Sequence, residues 1–185
     1  MVTTPAKTPL ISGEELLAMG DIGPCELVDG SIVSMSPAGG VQGFIEARLA
    51  SALYHFVQEH SLGWVMTGEV GIYTRRNPDR VRGADVVFLS KERWLGRPPK
   101  GFLDVAPELV VEIMSPNDRW QDVRQKLAEY FAIGVQWGWI VEPENRAVVV
   151  FRSTTDMQQC DSDDMLVGEG VLEGFTLTIA SLFAL

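Results

Sequence analysis

Two acidic residues interrupt apolar stretches of the sequence. Glu112 lies within residues 107–116 (PELVVEIMSP), and Asp85 lies within residues 84–89 (ADVVFL). An ionised carboxylate in an apolar strand loses solvation unless a cation, a metal or several hydrogen-bond donors compensate it. Two such carboxylates side by side would form a hard-cation site of the kind that Mg²⁺ prefers. The alternative is that each acid ends its strand or pairs with an arginine, since structural ion pairs also bury acids.

A lysine follows the second acid at a spacing that places it on a helix. Residues 118–133 predict an amphipathic helix with an apolar stripe formed by Trp120, Val123, Leu127 and Phe131. Asp122, Lys126 and Tyr130 follow one another at four-residue spacing along one flank of this helix, so Lys126 borders the core. The alternative is a surface lysine that pairs with Asp122 one turn earlier.

Asp85, Glu112 and Lys126 are together the residue types that phosphodiester hydrolysis uses. The reaction needs a nucleophilic water, charge neutralisation at the phosphorus and a stabilised leaving group, and Mg²⁺ held by carboxylates supplies much of all three. A nearby lysine positions the water or neutralises developing charge. An Asp, a Glu and a Lys are a common set, and the context strengthens it: both acids interrupt apolar strands, and the lysine lies on the next helix.

A long helix over residues 41–60 precedes the first acid. Its apolar stripe comprises Val41, Ile45, Leu49, Ala52, Leu53 and Phe56. Glu46 lies beside this stripe, which makes it an additional candidate ligand at the edge of the core; a solvated flank residue is the alternative. Because this helix and the helix at 118–133 each have one apolar face, both are expected to cover a sheet.

The remaining segments predict a mixed sheet. A capping box at 12–15 indicates a short helix, and Asp29-Gly30 between two apolar runs is typical of a β-hairpin over 25–35. Besides the segments that carry the two acids, strands are predicted at 64–67, 69–74, 137–141, 147–151 and 165–167, with a last strand or apolar docking segment at 175–185. The pattern predicts an α/β fold with an α+β mixed sheet, flanking helices and a peripheral N-terminal hairpin whose exposed apolar surface favours a homodimer.

Length and composition are those of an ordinary globular protein. The 185 residues are expected to form one domain over 11–185 after a flexible leader at 1–10. No apolar run approaches the ~20 residues that span a bilayer, and the N-terminus lacks an apolar signal segment, so no membrane partner and a cytoplasmic location are expected. Both cysteines are expected to be reduced, and with only two histidines besides them no zinc set is expected.

The formal net charge of −10 argues against broad, non-specific attraction to nucleic acid or anionic lipid. A local basic cluster could still contact a phosphate backbone, and the candidate is Arg75, Arg76, Arg80 and Arg82. The alternative, favoured by the turn composition of residues 77–79, is a solvated turn.

The order of these motifs resembles the Uma-two family, restriction-endonuclease-like proteins of the PD-(D/E)XK nuclease superfamily. The resemblance covers nearly the whole chain and rests on Glu26-Leu-Val-Asp29-Gly30, Asp85-Val-Val-Phe, Ala106-Pro-Glu-Leu-Val-Val-Glu112-Ile-Met-Ser115-Pro116, Asp122, Lys126, Tyr130, Gly134-Val135 and Trp139-Ile-Val-Glu-Pro143. It implies a restriction-endonuclease-like core and an endonuclease that uses Mg²⁺ or Mn²⁺ on DNA. It also implies that Asp85 and Glu112 are metal ligands and that Lys126 is the catalytic lysine, moved from the strand to the helix.

Three positions depart from the family pattern. Ala84 stands where proline usually precedes the first aspartate, Met114 where the superfamily has its strand lysine, and Gln42 where a histidine often precedes the long helix. Gly83 and Ala84 are still expected to allow a strand to start. The missing strand lysine and the acidic composition favour a second hypothesis, a non-catalytic module that keeps the nuclease fold for binding nucleic acid or protein.

Overall fold

The computed structural model describes residues 9–97 and 99–184, so most of the leader predicted at 1–10 lies outside the described residues. The helices are α1 (Gly13–Ala18), α2 (Gly40–Glu59), α3 (Trp120–Ala132) and α4 (Ile179–Phe183). The strands are β1 (Cys25–Val28), β2 (Ser31–Ser34), β3 (Gly63–Arg75), β4 (Arg80–Ser90), β5 (Leu109–Ile113), β6 (Trp137–Glu142), β7 (Ala147–Phe151), β8 (Met157–Cys160), β9 (Met165–Val167) and β10 (Thr176–Thr178). Across the described residues, no helix is long and apolar enough to cross a membrane.

Eight strands form one mixed sheet flanked by helices, which confirms the predicted fold class. The strand order is β2-β1-β4-β5-β6-β7-β8, and β3 pairs with β4. β5 and β6 run parallel, whereas the other neighbours in this sheet are antiparallel. β9 and β10 form a separate two-stranded sheet. The strands that carry the two candidate acids, β4 and β5, are therefore direct neighbours.

One edge of β4 is shared between two strands. β3 pairs with β4 along most of its length and covers the opposite edge. On the shared edge, β1 pairs only at Leu27↔Val81, and β5 pairs only with residues 86–88. Within the described chain, residues 82–85 therefore have no strand partner on this edge.

The two long helices both cover the sheet, as predicted, and the structure places them on opposite faces. α2 buries Ile45, Leu49, Leu53 and Val57 in a cluster that includes Val111. α3 buries Tyr130 in a cluster that includes Val110, and it buries Val123 and Leu127 against β6 and β7. Because successive residues of a strand face opposite sides, Glu112 projects to the same side as Val110, towards α3.

The N-terminal elements follow their local signals. Ser12 Oγ accepts a hydrogen bond from Glu15 N at 3.1 Å, and the Glu15 carboxylate accepts one from Ser12 N at 2.7 Å, so the capping box that begins α1 is confirmed. Asp29 and Gly30 have φ angles of 53° and 75°, and they join β1 to β2 in the predicted hairpin. β2 lies at one end of the large sheet, which confirms the peripheral position of the hairpin.

Two predicted boundaries were wrong, and one strand was not predicted. α3 begins at Trp120 rather than at residue 118, since Asp118 accepts a hydrogen bond from Ser115 N at 2.7 Å in the preceding turn. β4 begins at Arg80 rather than near Gly83, because pairing with β3 extends across the whole segment. β8 was not predicted, since its sequence MQQC lacks β-branched and aromatic residues; its pairing with β7 determines its conformation.

The arginines at 75–82 form ion pairs instead of a free basic patch or a solvated turn. Arg82 and Arg80 are largely buried, and their nitrogens lie 2.6 Å from the Glu129 carboxylate on α3. The remaining contacts connect Arg80 and Arg75 to Asp29, Arg82 to Glu26, and Arg76 to Glu14, Asp79 and Asp104. These ion pairs tie the hairpin, α1 and α3 to the β3–β4 pair.

Candidate active site

The candidate site forms where the shared edge of β4 is open. The β4–β5 register ends at Val86↔Val111, so Asp85 and Glu112 are the next residues of the two strands, just beyond their paired part. Asp85, Glu112 and Lys126 all line one cavity of about 490 Å³. The structure therefore brings together the three residues that the sequence singled out.

Asp85 is 5% exposed and has one strong hydrogen bond. Its Oδ2 accepts from the backbone N of Ile113 at 2.6 Å. Its Oδ1 lies 3.4 Å from Nε2 of Gln42, the residue at the position where the family often has a histidine. Oδ1 is therefore the more weakly hydrogen-bonded oxygen of this carboxylate, and it lies on the side of Gln42 in α2.

Glu112 receives hydrogen bonds from two residues of α3. Lys126 Nζ lies 2.8 Å from Glu112 Oε2, and the Tyr130 hydroxyl lies 3.0 Å from Glu112 Oε1. Tyr130, which the sequence placed on the same helix flank as Lys126, is fully buried, and its hydroxyl also lies 3.0 Å from the Gly83 carbonyl oxygen. Lys126 pairs with Glu112 rather than with Asp122, so the alternative of a surface lysine is wrong.

Glu26 is a site residue that the sequence analysis did not identify. Its Oε1 lies 3.2 Å from Lys126 Nζ, and its Oε2 lies 2.7 Å from Arg82. The β1–β4 register, which pairs Leu27 with Val81, brings Glu26 opposite Arg82 at the next step. The signal was present in the motif at residues 26–30, but an acid at the start of a short hairpin strand looks like an ordinary surface residue until the pairing with β4 is known.

Glu69 is the second residue that was missed. It follows Gly68 at a β-bulge of β3, and both residues have positive φ angles, 57° and 88°. Glu69 lines the same cavity as Asp85. A Cβ atom on Gly83 would lie 2.6 Å from Glu69 Oε2, so the glycine allows the carboxylate to approach β4. An isolated glycine inside a strand pattern is the signal for such a bulge.

Glu46, the additional candidate ligand, does not line this cavity. Its Oε1 instead accepts a hydrogen bond from the backbone N of Gly68 at 3.2 Å. Glu46 therefore contacts the bulge that presents Glu69, and among the contacts of the described residues it has none to Asp85 or Glu112.

Burial dominates the pKa values of the carboxyl groups in the cavity. Burial raises the pKa of Asp85 to about 7, and it raises the pKa of Glu112 to about 7 although the Lys126 charge opposes the shift. Burial alone would lower the pKa of Lys126, but the charges of Glu112 and Glu26 outweigh it and raise that pKa above its ordinary value. The pKa of Glu69 is also raised, first because its carboxylate is partly withdrawn from solvent. Burial therefore makes each of these carboxyl groups harder to ionise, and the nearby Lys126 charge offsets only part of this effect.

The donor set fits a hard divalent cation with incomplete protein coordination. In the described part of the chain, no group of three or more His, Cys, Asp or Glu side chains is arranged to hold a metal ion. Mg²⁺ does not require such a group, because it usually keeps several waters and takes one or two carboxylates. Asp85 and Glu112, two neighbouring carboxyl groups with raised pKa values, would supply that number of ligands, and a bound cation would favour their charged forms.

Comparisons with known proteins agree with this fold. No curated protein matches the chain. A solved structure described as "a putative nuclease belonging to DUF820", from Anabaena variabilis ATCC 29413, is 22% identical and superposes with a TM-score of 0.78 over 94% of this chain and 97% of that one. At that identity the likeness concerns the fold. The family model of Uma-two, described as "Putative restriction endonuclease", matches residues 14–180, and the chain therefore belongs to the Uma-two family.

Proposed function

We propose that this protein is an endonuclease that hydrolyses phosphodiester bonds in DNA with the help of Mg²⁺ or Mn²⁺. The observation that carries the proposal is the contact of 2.8 Å between Lys126 Nζ and Glu112 Oε2 in a cavity that Asp85 also lines. Two withdrawn carboxylates and a charged lysine are the groups that metal-assisted phosphodiester hydrolysis uses. Membership of a family described as restriction endonucleases supports the same reaction.

Each residue has a role in this proposal. Asp85 and Glu112 are the metal ligands, and a bound Mg²⁺ would neutralise charge at the phosphate and lower the pKa of a water molecule. The raised pKa of Lys126 keeps its proton in place, so Lys126 acts as a fixed positive charge near the phosphate and not as a base. Tyr130 donates towards Glu112 and orients that carboxylate.

DNA phosphates are expected to contact cations near the start of α3. The arginines at 75–82 are engaged in ion pairs with acidic residues. Asn117 and Asp118 line the cavity, and the next residue, Arg119, is the N-cap residue of α3. In the chain as described, neither Arg119 nor Arg124 forms an ion pair with an acid, so both are available to phosphate oxygens.

Cleavage of plasmid and single-stranded DNA tests the function. The wild-type protein is expected to nick or cut DNA with Mg²⁺ or Mn²⁺ and to be inactive with EDTA. Glu112→Gln keeps the size of the side chain and one acceptor oxygen but removes the charged ligand, so cleavage is expected to fall at least ~100-fold. Gel analysis of the products over time gives both rates.

A matched control separates loss of a ligand from loss of a buried glutamate. Glu142, at the end of the neighbouring strand β6, is 8% exposed and accepts a hydrogen bond from Asn145 instead of a site residue. Glu142→Gln is expected to cleave at the wild-type rate. Equal cleavage by wild type and Glu112→Gln would contradict the assignment, and absence of both cleavage and calorimetric Mg²⁺ binding would support the non-catalytic binding module.

We also propose that this protein is cytoplasmic, has a single domain and forms a homodimer through the β1–β2 hairpin. All four residues of β2 are exposed at the end of the sheet, among them Ile32 and Val33 at 39% and 45%. An exposed edge strand presents unpaired backbone groups that a second copy can pair. Sedimentation at micromolar concentration is expected to give a dimer for the wild type and a monomer after Val33→Lys; a wild-type monomer would contradict the proposal.

A further inference from the structure

Glu26 is an acidic residue of the peripheral β1–β2 hairpin, and its side chain lies in the candidate site. The β1–β2 hairpin that carries it pairs with β4 through Leu27↔Val81 alone, yet Glu26 is only 6% exposed. Its Oε1 accepts from the backbone N of Gly83 at 3.1 Å and lies 3.2 Å from Lys126 Nζ. Its Oε2 accepts from Arg82 at 2.7 Å. Every contact of this carboxylate is therefore directed at the open edge of β4 or at the lysine beside it.

The ammonium group of Lys126 has three N–H donors and three partners. These are the Gly83 carbonyl oxygen at 2.8 Å, Glu112 Oε2 at 2.8 Å and Glu26 Oε1 at 3.2 Å. A lysine side chain has four flexible carbon–carbon bonds, so a single partner would leave its nitrogen free to move. Here Lys126 forms two hydrogen bonds, to Gly83 and Glu112, and an ion pair with Glu26, so two of its three partners carry charge.

Of the two charged partners of Lys126, only Glu26 has no proposed role as a metal ligand. When Glu112 binds a cation, that cation competes with Lys126 for the same carboxylate, so Glu112 attracts the ammonium group less strongly. The Gly83 carbonyl is neutral. Glu26 then remains as the one charged group that opposes the outward movement of the ammonium among the three partners described above.

We propose that Glu26 is a positioning residue that keeps the Lys126 ammonium beside the cavity while Glu112 binds the cation. This inference rests on the proposed function, and it goes beyond it by giving the hairpin a part in the reaction. Glu26 acts through Lys126 and does not touch the substrate. The ion pair with Arg82, itself held by Glu129, fixes Glu26 in turn.

The chain offers a matched control on the same hairpin. Asp29 also pairs with arginines of β3 and β4, namely Arg75 and Arg80, but it makes no contact with Lys126 in the described structure. Asp29→Asn therefore removes one charge and one anchor of the hairpin without changing the surroundings of the lysine. A purely structural role of Glu26 predicts the same behaviour for Asp29→Asn and Glu26→Gln.

Chemical labelling of the full-length protein tests the proposal without requiring cleavage. The chain has four lysines, Lys7, Lys91, Lys100 and Lys126, so acetylation of each can be followed by mass spectrometry. Glu26→Gln is expected to raise the labelling rate of Lys126 at least ~5-fold, with the larger increase in Mg²⁺, because the ammonium loses its remaining charged partner. Glu26→Asp keeps the charge next to Arg82 but withdraws it from Nζ, and it is expected to raise the rate at least ~3-fold. Asp29→Asn is expected to leave the rate unchanged.

Kinetics provide the second measurement. Glu26→Gln is expected to lower kcat at least ~10-fold and to change KM less than ~2-fold, since a misplaced charge weakens the transition state more than substrate binding. A Lys126 labelling rate at the wild-type value in both Glu26 variants would overturn the inference, as would equal increases in Asp29→Asn. If the wild-type protein cleaves no DNA, the proposed function fails, whereas the labelling rates still decide whether Glu26 holds Lys126.

Discussion

Replacing Lys126 by methionine is expected to reduce DNA cleavage at least ~100-fold and also to destabilise the fold. The first effect follows from losing the positive charge next to the proposed metal ligands. The loss of stability follows because Glu112 and Glu26 both lie within 3.2 Å of Nζ and would remain buried without their positively charged partner. Removing one partner of a buried ion pair costs about 3 kcal/mol of unfolding free energy at pH 8. At pH 5 the cost is smaller, since the raised pKa lets Glu112 bind a proton.

Urea unfolding at both pH values and cleavage rates at a temperature where the variant is folded measure the two effects separately. Lys91→Met is the control, because Lys91 lies in an exposed turn after β4 and forms no ion pair in the described structure. Wild-type cleavage by a folded Lys126→Met protein would exclude the catalytic role. Unchanged stability at pH 8 would contradict the buried ion pairs themselves.

The metal-free protein is expected to lose stability as the pH rises from 5 to 8, and Mg²⁺ is expected to restore it. Asp85 and Glu112 have folded-state pKa values of about 7, above the ordinary values of 3.8 and 4.5. The folded state therefore binds more protons than the unfolded state between these values, and unfolding free energy falls as the pH rises through about 7. Each pKa unit corresponds to about 1.4 kcal/mol, and each carboxyl group covers about two units between pH 5 and 7, so the two together lower the unfolding free energy by on the order of 5 kcal/mol.

Asp85→Asn tests the origin of this dependence. Asparagine keeps an oxygen for the Ile113 N–H but carries no charge, so the variant is expected to lose less stability between pH 5 and pH 8 than the wild type. At pH 8, Mg²⁺ at a hundredfold excess over its dissociation constant should stabilise the wild type by ~2.7 kcal/mol and the variant far less. Thermal melts with and without Mg²⁺ measure both. A wild-type melting temperature that Mg²⁺ does not change at pH 8 would count against a metal site.

Local patterns predicted most of the fold because they reflect local physics. The capping box at Ser12, the turn at Asp29-Gly30 and the one-sided apolar stripes of α2 and α3 each have a cause within a few residues. The acids in apolar strands could be singled out for the same reason, since the cost of burying a charge is visible in the neighbouring residues. The convergence of Asp85 with Glu112 then depended on β4 and β5 being neighbours.

The residues that sequence analysis missed depend on pairing between distant segments. Glu26 faces Lys126 only because Leu27 pairs with Val81, a contact between residues 54 positions apart. Glu69 reaches the cavity only because β3 bulges against β4 next to a glycine. In both cases the acid reaches the site through pairing with a distant strand, which no local pattern of the sequence shows.

The open edge at residues 82–85 has a consequence for engineering more stable forms of this protein. In most sheets an unpaired backbone segment invites more strand pairing, and lengthening β1 or β5 along β4 would add ladder hydrogen bonds. In this fold such an extension would occupy the backbone groups of Gly83 that now bind Glu26, Lys126 and Tyr130. Under the proposed function, such an extension would displace Lys126 and lower catalysis, so thermostable variants should be sought in the α2 core or the β7–β8 edge instead.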